Sequence, residues 1–294
     1  MGNRSASRIY PMPIKLAAAI GVCLCAALCL ALASCGGRRS AAADPEEERE
    51  MTLSVFAASS LTETLTELGE QYQLEHPRIR VVFSFGASGD LARQIQSGAE
   101  CDLFLSGAYP QMDYLDGALR SDPARNPEKL NLLWDGTRVD LLENRVVLAV
   151  PEGNPGGVES FSDLARRLRA GEVFAAVGGP DVSLGWYTRR IFDYENINED
   201  AVSSCLTYGS SAKEAATLTA SAAVDCGIVY ATDAVGLEVI DEAGPEMCGR
   251  VAYPAAVLSE SAHRPDALEF LDYLSTPEAS ALFAAAGFTP LAGT

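Results

Sequence analysis

Serine residues stand at four places where the sequence predicts that a helix begins. The four turns contain Ser59 with Ser60, Ser88, Ser183, and Ser210 with Ser211. A helix start leaves backbone N–H groups without intrahelical partners, and a serine hydroxyl beside them adds another hydrogen-bond donor. The spacing therefore predicts anion binding, provided that the fold brings these turns together.

A purely structural role for the same serines is the alternative. Ser60 and Glu63 have the spacing of a capping box, in which both side chains satisfy N–H groups of the first helical turn. Ser88 lies between Gly86 and Gly89, and glycines let backbone N–H groups approach a bound group closely. Because serine is common at helix starts, only the joint position of the turns can separate the two roles.

Predicted strands and helices alternate along the chain, which favours an α/β fold. One series runs from a strand at 53–56 to a helix at 109–115, and another from a helix at 161–168 to a helix at 232–235. Apolar strands at 145–150 and 253–258 would connect them. We therefore predict a two-lobed clamshell, each lobe a mainly parallel sheet with flanking helices. The lobes are residues 51–143 with 252–294, and residues 144–251, and the serine turns should face the cleft between them.

The N-terminus has the features of an export signal. Arg4, Arg8 and Lys15 precede an apolar run at 16–33, which ends in small residues around Cys35. The residues 32–35, LASC, resemble the bacterial lipobox, so we predict a signal peptide at 1–34, lipidation of Cys35 and a flexible tether at 35–50. The protein would then be anchored to the outer face of the cytoplasmic membrane. An uncleaved membrane anchor of marginal length is the alternative.

Charge excludes one class of partner. The chain has 22 basic and 40 acidic residues, a net charge of −18, and residues 1–34 contain three of the basic ones and none of the acidic ones. Such acidity argues against a nucleic-acid partner. It also repels anions at long range, so an anion site must depend on local N–H dipoles.

Cysteine and histidine are too sparse for a structural zinc site. The exported part would retain Cys101, Cys205, Cys226 and Cys248 as unmodified cysteines, none in a C-x-x-C pair, with only His76 and His263 as imidazoles. One or two disulfides are compatible with export, but the sequence leaves the pairing open, and buried thiols are equally compatible with it.

Several blocks of sequence resemble the molybdate-binding proteins of bacterial ABC importers, which have the type II periplasmic-binding-protein fold. The match spans about residues 53–291, and its most specific blocks, in order, are 55–62 (VFAASSLT), 84–95 (SFGASGDLARQI), 102–106 (DLFLS), 227–234 (GIVYATDA), 253–254 (YP) and 287–288 (GF). The resemblance implies a monomeric binding protein, without cofactor or catalytic residue, that delivers molybdate or tungstate to an ABC permease and its ATPase subunits.

The same resemblance implies a set of ligand-binding residues. The oxyanion would be held through its oxygens, with no direct protein–metal ligand, by the hydroxyls of Ser60, Ser88 and Tyr230 and the backbone amides of Leu184 and Ala212. The turn at Ser183 departs from the family, which usually has Pro-Ala where this chain has Ser183-Leu184, so the donor within 183–185 stays open. Asp90 is a further concern, because a carboxylate beside an anion is unfavourable unless it points away.

Two other functions are compatible with the sequence. Sulfate or another oxyanion could occupy the same donors, since sulfate also lacks a proton at neutral pH. More distantly, Ser88 followed by acidic residues and His263 has the order of an α/β-hydrolase triad, although residues 86–90 lack the last glycine of the nucleophile elbow.

Overall fold

A computed structural model describes residues 51–291 of the chain. The predicted signal peptide, Cys35 and tether therefore lie outside the described residues, as do the last three residues. The described part contains eleven strands: β1 Met51–Ala58, β2 Ile79–Gly86, β3 Leu103–Leu105, β4 Val139–Glu143, β5 Val146–Val150, β6 Ala175–Gly178, β7 Leu206–Gly209, β8 Cys226–Tyr230, β9 Glu238–Glu242, β10 Ala252–Val257 and β11 Thr289–Pro290.

Ten α-helices accompany these strands in the described part: α1 Thr62–Glu75, α2 Ser88–Gln96, α3 Tyr109–Leu115, α4 Phe161–Ala170, α5 Ser183–Tyr194, α6 Glu199–Val202, α7 Ala212–Ala220, α8 Pro245–Cys248, α9 Arg264–Tyr273 and α10 Pro277–Ala285. The helix predicted at 232–235 is wrong, because only a short 3-10 helix forms there, at Ala231–Asp233. Helices α2 and α5 begin at Ser88 and Ser183, where the serine turns predict helix starts.

The strands form two sheets, which confirms the α/β class and the two-lobed organisation. The first lobe has the order β11-β4-β10-β3-β1-β2, and the second has the order β7-β6-β8-β5-β9. Strands β3, β5, β8 and β10 are buried at every residue, as expected for central strands of covered sheets.

The expectation of mainly parallel sheets is wrong. In the first lobe β1 pairs in parallel with β2 and β3, but β10 is antiparallel to β3 and β4. In the second lobe β6 is parallel to β7 and β8, but β5 is antiparallel to β8 and β9. The reason is that β5 and β10 begin where the chain crosses between lobes, so they run opposite to strands that end there.

The two crossings lie side by side. The N–H of Asn144, between β4 and β5, donates to the carbonyl of Val251, just before β10, at 2.8 Å. Asn144 is buried, and its side-chain amide donates to Thr232 Oγ1 at 2.9 Å and to the Tyr253 hydroxyl at 3.3 Å. The crossings therefore form one connected strip of chain between the sheets.

The lobes also touch along the start of α2. The N–H of Gly89 donates to the carbonyl of Asp181, in the second lobe, at 3.0 Å. Arg93 donates to the Asp181 carboxylate at 2.6 Å and also pairs with Asp90. The carboxylate of Asp90 is thus directed to a cation on the surface of α2, which answers the concern raised by its position in the sequence.

We expect Gly89→Ala to prevent this close approach. A Cβ at Gly89 would lie 2.6 Å from the carbonyl oxygen of Asp181, a backbone atom that cannot yield without moving its lobe. Small-angle X-ray scattering should therefore give a larger radius of gyration for the variant than for the wild type.

Gly86→Ala is the matched control, since its added Cβ would meet only the Leu91 side chain, at 3.5 Å or more. Equal radii for Gly89→Ala and the wild type would contradict the packing of α2 against the second lobe in solution.

Candidate functional site

Ser60 lies in a 3-10 helix, Ser59–Leu61, between β1 and α1, and its side chain turns inward. Its Oγ is 2.9 Å from the hydroxyl of Tyr253 and the residue is buried. Neither the 3-10 helix nor α1 has a side-chain cap, and the Glu63 carboxylate instead binds Lys213. The capping-box alternative for Ser60 and Glu63 is therefore wrong, because both side chains have partners elsewhere.

The turn at Ser210 and Ser211 has the helix-capping role that the turn at Ser59 and Ser60 lacks. Ser211 caps α7 by accepting from the Glu214 N–H at 3.1 Å. The Glu214 carboxylate accepts from the N–H and hydroxyl of Ser210, and these hydrogen bonds lower its pKa. Both serine hydroxyls are thus engaged within their own turn.

Ser88 and Tyr230 meet at one glycine, although they come from different lobes. Ser88 Oγ accepts from the N–H of Gly107 at 3.1 Å, and the hydroxyl of Tyr230, the last residue of β8, donates to the Gly107 carbonyl at 3.1 Å. Ser88 and Tyr230 are each about 1% exposed. The structure therefore brings two of the predicted hydroxyls to the same peptide segment.

Ser183, the first residue of α5, also faces Gly107. A Cβ at Gly107 would lie 3.1 Å from both Cβ and Oγ of Ser183 and 3.4 Å from Cβ of Ala58. Of the three residues 183–185, Gly185 uses its N–H to donate to the Val182 carbonyl at 2.9 Å. Of the three backbone amides that the sequence left open, those of Ser183 and Leu184 therefore remain as candidates.

Leu184 and Ala212 both lie at helix starts. Leu184 is the second residue of α5 and fully buried, and Ala212 is the first residue of α7. Helix α7 packs against the 3-10 helix that contains Ser60. Both residues therefore lie in the first turns of helices that adjoin the cluster around Gly107 and Tyr253.

Sequence reasoning missed Tyr253 and Asn144 as members of this cluster. Tyr253 joins Ser60 to Asn144 through its hydroxyl, and its ring lies 5.8 Å from that of Tyr230 between centroids. Burial raises the pKa of Tyr230 and of Tyr253 well above the usual value, and the nearby Asp233 carboxylate adds to both shifts. The hydrogen bonds of Tyr253 with Ser60, Asn144 and Tyr230 oppose the shift of Tyr253. Both tyrosines remain protonated near neutral pH. The sequence signal that could have indicated Asn144 is its position as a polar residue between two apolar runs.

A carboxyl lies close to these tyrosines. Asp233 lines a cavity of about 480 Å³ together with Ser60, Lys213 and Glu63, and its Oδ2 is buried without a hydrogen-bond partner among the described residues. Burial raises the pKa of Asp233 to about 6, and Lys213 opposes this shift. At neutral pH the group is largely ionised in surroundings that disfavour the charge.

The hydrolase triad is not assembled. Ser88 binds Gly107, whereas His263 donates its backbone N–H to Ser261 Oγ at 3.0 Å and lines a different cavity, of about 590 Å³, with Cys101.

The four cysteines in the described range, Cys101, Cys205, Cys226 and Cys248, are buried and unpaired. Between residues 51 and 291 no group of three or more His, Cys, Asp or Glu side chains could hold a metal ion. The same stretch contains no helix with the length and apolarity needed to cross a membrane.

Comparison with known proteins identifies relatives over nearly the whole described range. A family model for bacterial extracellular solute-binding proteins matches residues 53–289. YvgL of Bacillus subtilis, provisionally assigned as an ABC transporter substrate-binding lipoprotein, is 31% identical over 266 residues, covering 88% of this chain and 94% of its own. ModA of Escherichia coli, a molybdate-binding protein, is 32% identical over 247 residues, covering 82% of this chain and 90% of its own.

Solved structures share the fold. The periplasmic molybdate-binding protein of Azotobacter vinelandii has a TM-score of 0.66 and 21% identity, covering 81% of this chain and 99% of its own. The sulfate-binding protein SubI of Mycobacterium tuberculosis has a TM-score of 0.61 and 19% identity, covering 82% and 87%. Proteins with two different oxyanion ligands share this fold, so the fold alone does not specify a ligand.

We expect Asp233→Asn to stabilise the protein at neutral pH but not at pH 4. The folded-state pKa of Asp233, about 6, lies above its ordinary value, so the ionised carboxylate destabilises the fold, increasingly between about pH 4 and 6 and fully above that. Urea unfolding should give a gain on the order of 2 kcal/mol at pH 7.5 and little change at pH 4. The exposed Asp272→Asn is the control, and an equal effect of Asp233→Asn at both pH values would contradict the assignment.

Proposed function

The chain belongs to the family of bacterial extracellular solute-binding proteins, and from that membership we propose that it captures molybdate, or tungstate, for an ABC importer. The observation that supports this most is the convergence of uncharged hydroxyls from both lobes. Ser88 and Tyr230 meet at Gly107, and Ser60 joins the same cluster through Tyr253. The molybdate-binding relative from E. coli aligns over most of the chain.

Neutral donors suit this class of anion. Molybdate and tungstate carry no proton near neutral pH, so they need hydrogen-bond donors and no permanently ionised acceptor. Buried Tyr230 stays protonated because its pKa is raised, and serine hydroxyls do not ionise. In the proposed complex Ser60, Ser88 and Tyr230 exchange their present protein partners for oxygens of the anion.

Backbone dipoles supply the remaining attraction. Helices α2, α5 and α7 start beside the cluster, and the N-terminus of each helix has a partial positive charge. In the proposal the amides of Leu184 and Ala212 donate to the anion from α5 and α7. This local field must overcome the repulsion of an anion by a chain of net charge −18. The pairing of Asp90 with Arg93 reduces the repulsion from one nearby carboxylate.

Lobe closure would enclose the anion and create the form that the permease recognises. We propose lobe boundaries at 51–143 with 252–294 and at 144–251, which puts the hinge at the paired crossings of Asn144 and Val251. Binding proteins of ABC importers work with a permease and its ATPase subunits. This chain would act with them as a monomer in capture rather than catalysis.

Attachment to the membrane is a separate part of the proposal. Residues 1–34 would be removed as a signal peptide, Cys35 would be lipidated, and residues 35–50 would hold the lobes away from the bilayer. The sequence motif supports this, together with the provisional assignment of the B. subtilis relative as a lipoprotein.

Sulfate is the second candidate, because a sulfate-binding protein has the same fold and sulfate is likewise unprotonated. The two anions differ in size, so cavity dimensions rather than donor chemistry would have to discriminate between them. Isothermal titration of the purified protein should show tighter binding of molybdate and tungstate than of sulfate, with no binding of phosphate at equal concentration. Sulfate binding as tight as molybdate binding would refute the proposed specificity.

We expect Tyr230→Phe to weaken molybdate binding, because it removes one buried donor. The loss should be roughly 5- to 150-fold, corresponding to about 1 to 3 kcal/mol. Isothermal titration measures this directly.

Tyr72→Phe is the matched control, since the Tyr72 hydroxyl is buried in α1 without a hydrogen-bond partner among the described residues. It should leave affinity unchanged. An affinity of Tyr230→Phe equal to that of the wild type would remove Tyr230 from the site.

A further inference from the structure

The hydroxyl of Ser183 is unusual among the groups around Gly107. The residue is 4% exposed, yet its Oγ has no hydrogen-bond partner among the described residues. It does not serve as a helix cap, because the N-cap of α5 is Val182 and no side chain accepts a bond there. A buried hydroxyl without a hydrogen-bond partner destabilises the fold, so we looked for a partner that the Ser183 hydroxyl would have in another state of the protein.

The position of the Ser183 hydroxyl indicates such a partner. Ser183 Oγ is 3.1 Å from the point where a Cβ of Gly107 would stand, and the N–H and carbonyl of Gly107 are held by Ser88 and Tyr230. The hydroxyl therefore faces the peptide on which two of the proposed ligand-binding side chains converge. It does so from the first turn of a twelve-residue helix, beside the amide of Leu184.

We propose that Ser183 Oγ is an additional ligand donor that binds an oxygen of the enclosed oxyanion and contributes to its selection. This inference rests on the proposed function and deepens it. With Ser183, four side-chain hydroxyls surround the anion, two from each lobe: Ser60 and Ser88 from the first, Ser183 and Tyr230 from the second. Each lobe then supplies two hydroxyls, and the second lobe adds the backbone amides of Leu184 and Ala212.

The proposal predicts opposite effects on stability and on binding. In the protein without ligand, Ser183→Ala removes an unsatisfied buried hydroxyl, so its thermal midpoint should be equal to or higher than that of the wild type. In the complex, the same change removes a donor, so molybdate should bind about 5- to 30-fold more weakly. Loss of a hydroxyl with a merely structural role would not weaken binding while leaving the stability of the free protein undiminished.

The experiment compares wild type, Ser183→Ala and Ser203→Ala by isothermal titration with sodium molybdate and by thermal unfolding with and without it. Ser203 is an exposed serine of the second lobe whose hydroxyl donates to the Asp200 carbonyl at 2.8 Å, so its replacement should leave affinity unchanged.

The outcomes separate the two proposals. Weaker binding by Ser183→Ala, with undiminished stability of the free protein, supports the inference. Wild-type affinity in Ser183→Ala overturns it and leaves the proposed function intact, and weaker binding with a lowered midpoint of the free protein overturns it as structural damage. If the wild type binds neither molybdate, tungstate nor sulfate, both proposals fail together.

Discussion

The polar cluster between the two lobes depends on a residue without a side chain. Gly107 exposes both its N–H and its carbonyl, so Ser88 of the first lobe and Tyr230 of the second can bind one residue from two sides. Any larger residue there would press against Ser183 and Ala58 at 3.1 to 3.4 Å. Much of the polar cluster follows from this constraint, because the hydroxyls converge only where the backbone can be approached closely.

A second chain of contacts connects the crossing between lobes to the same cluster. Asn144 binds Val251 across the two crossing segments and binds Tyr253 through its side chain, and Tyr253 in turn binds Ser60. Rotation of one lobe against the other must therefore disturb the hydrogen bonds of a proposed ligand-binding residue. In the proposed mechanism, three consecutive polar contacts would connect lobe closure to a ligand-binding side chain.

Sequence alone predicted the elements with strong periodicity and the turns that follow them. Helix α3 has the predicted bounds 109–115, and α4 begins at the predicted residue 161 and ends two residues after 168, because apolar spacing defines both helices locally. Strand β9 was missed since charged residues alternate in it, and the Ser60–Glu63 capping box failed because Tyr253 and Lys213 compete for those side chains. Ser60 and Tyr253 are 193 positions apart, and no local pattern reports such a pair.

The strand order has a consequence for how the molecule is made. The second sheet comes from one uninterrupted stretch that ends with β9 at Glu242, whereas β10 must enter between β3 and β4 before the first sheet is continuous. During synthesis from the N-terminus, the second lobe can therefore complete its sheet while the first lobe still has unpaired strand edges. Completion of the first sheet therefore requires β10 and β11, and truncation before β10 would leave the edges of β3 and β4 open to aggregation or proteolysis.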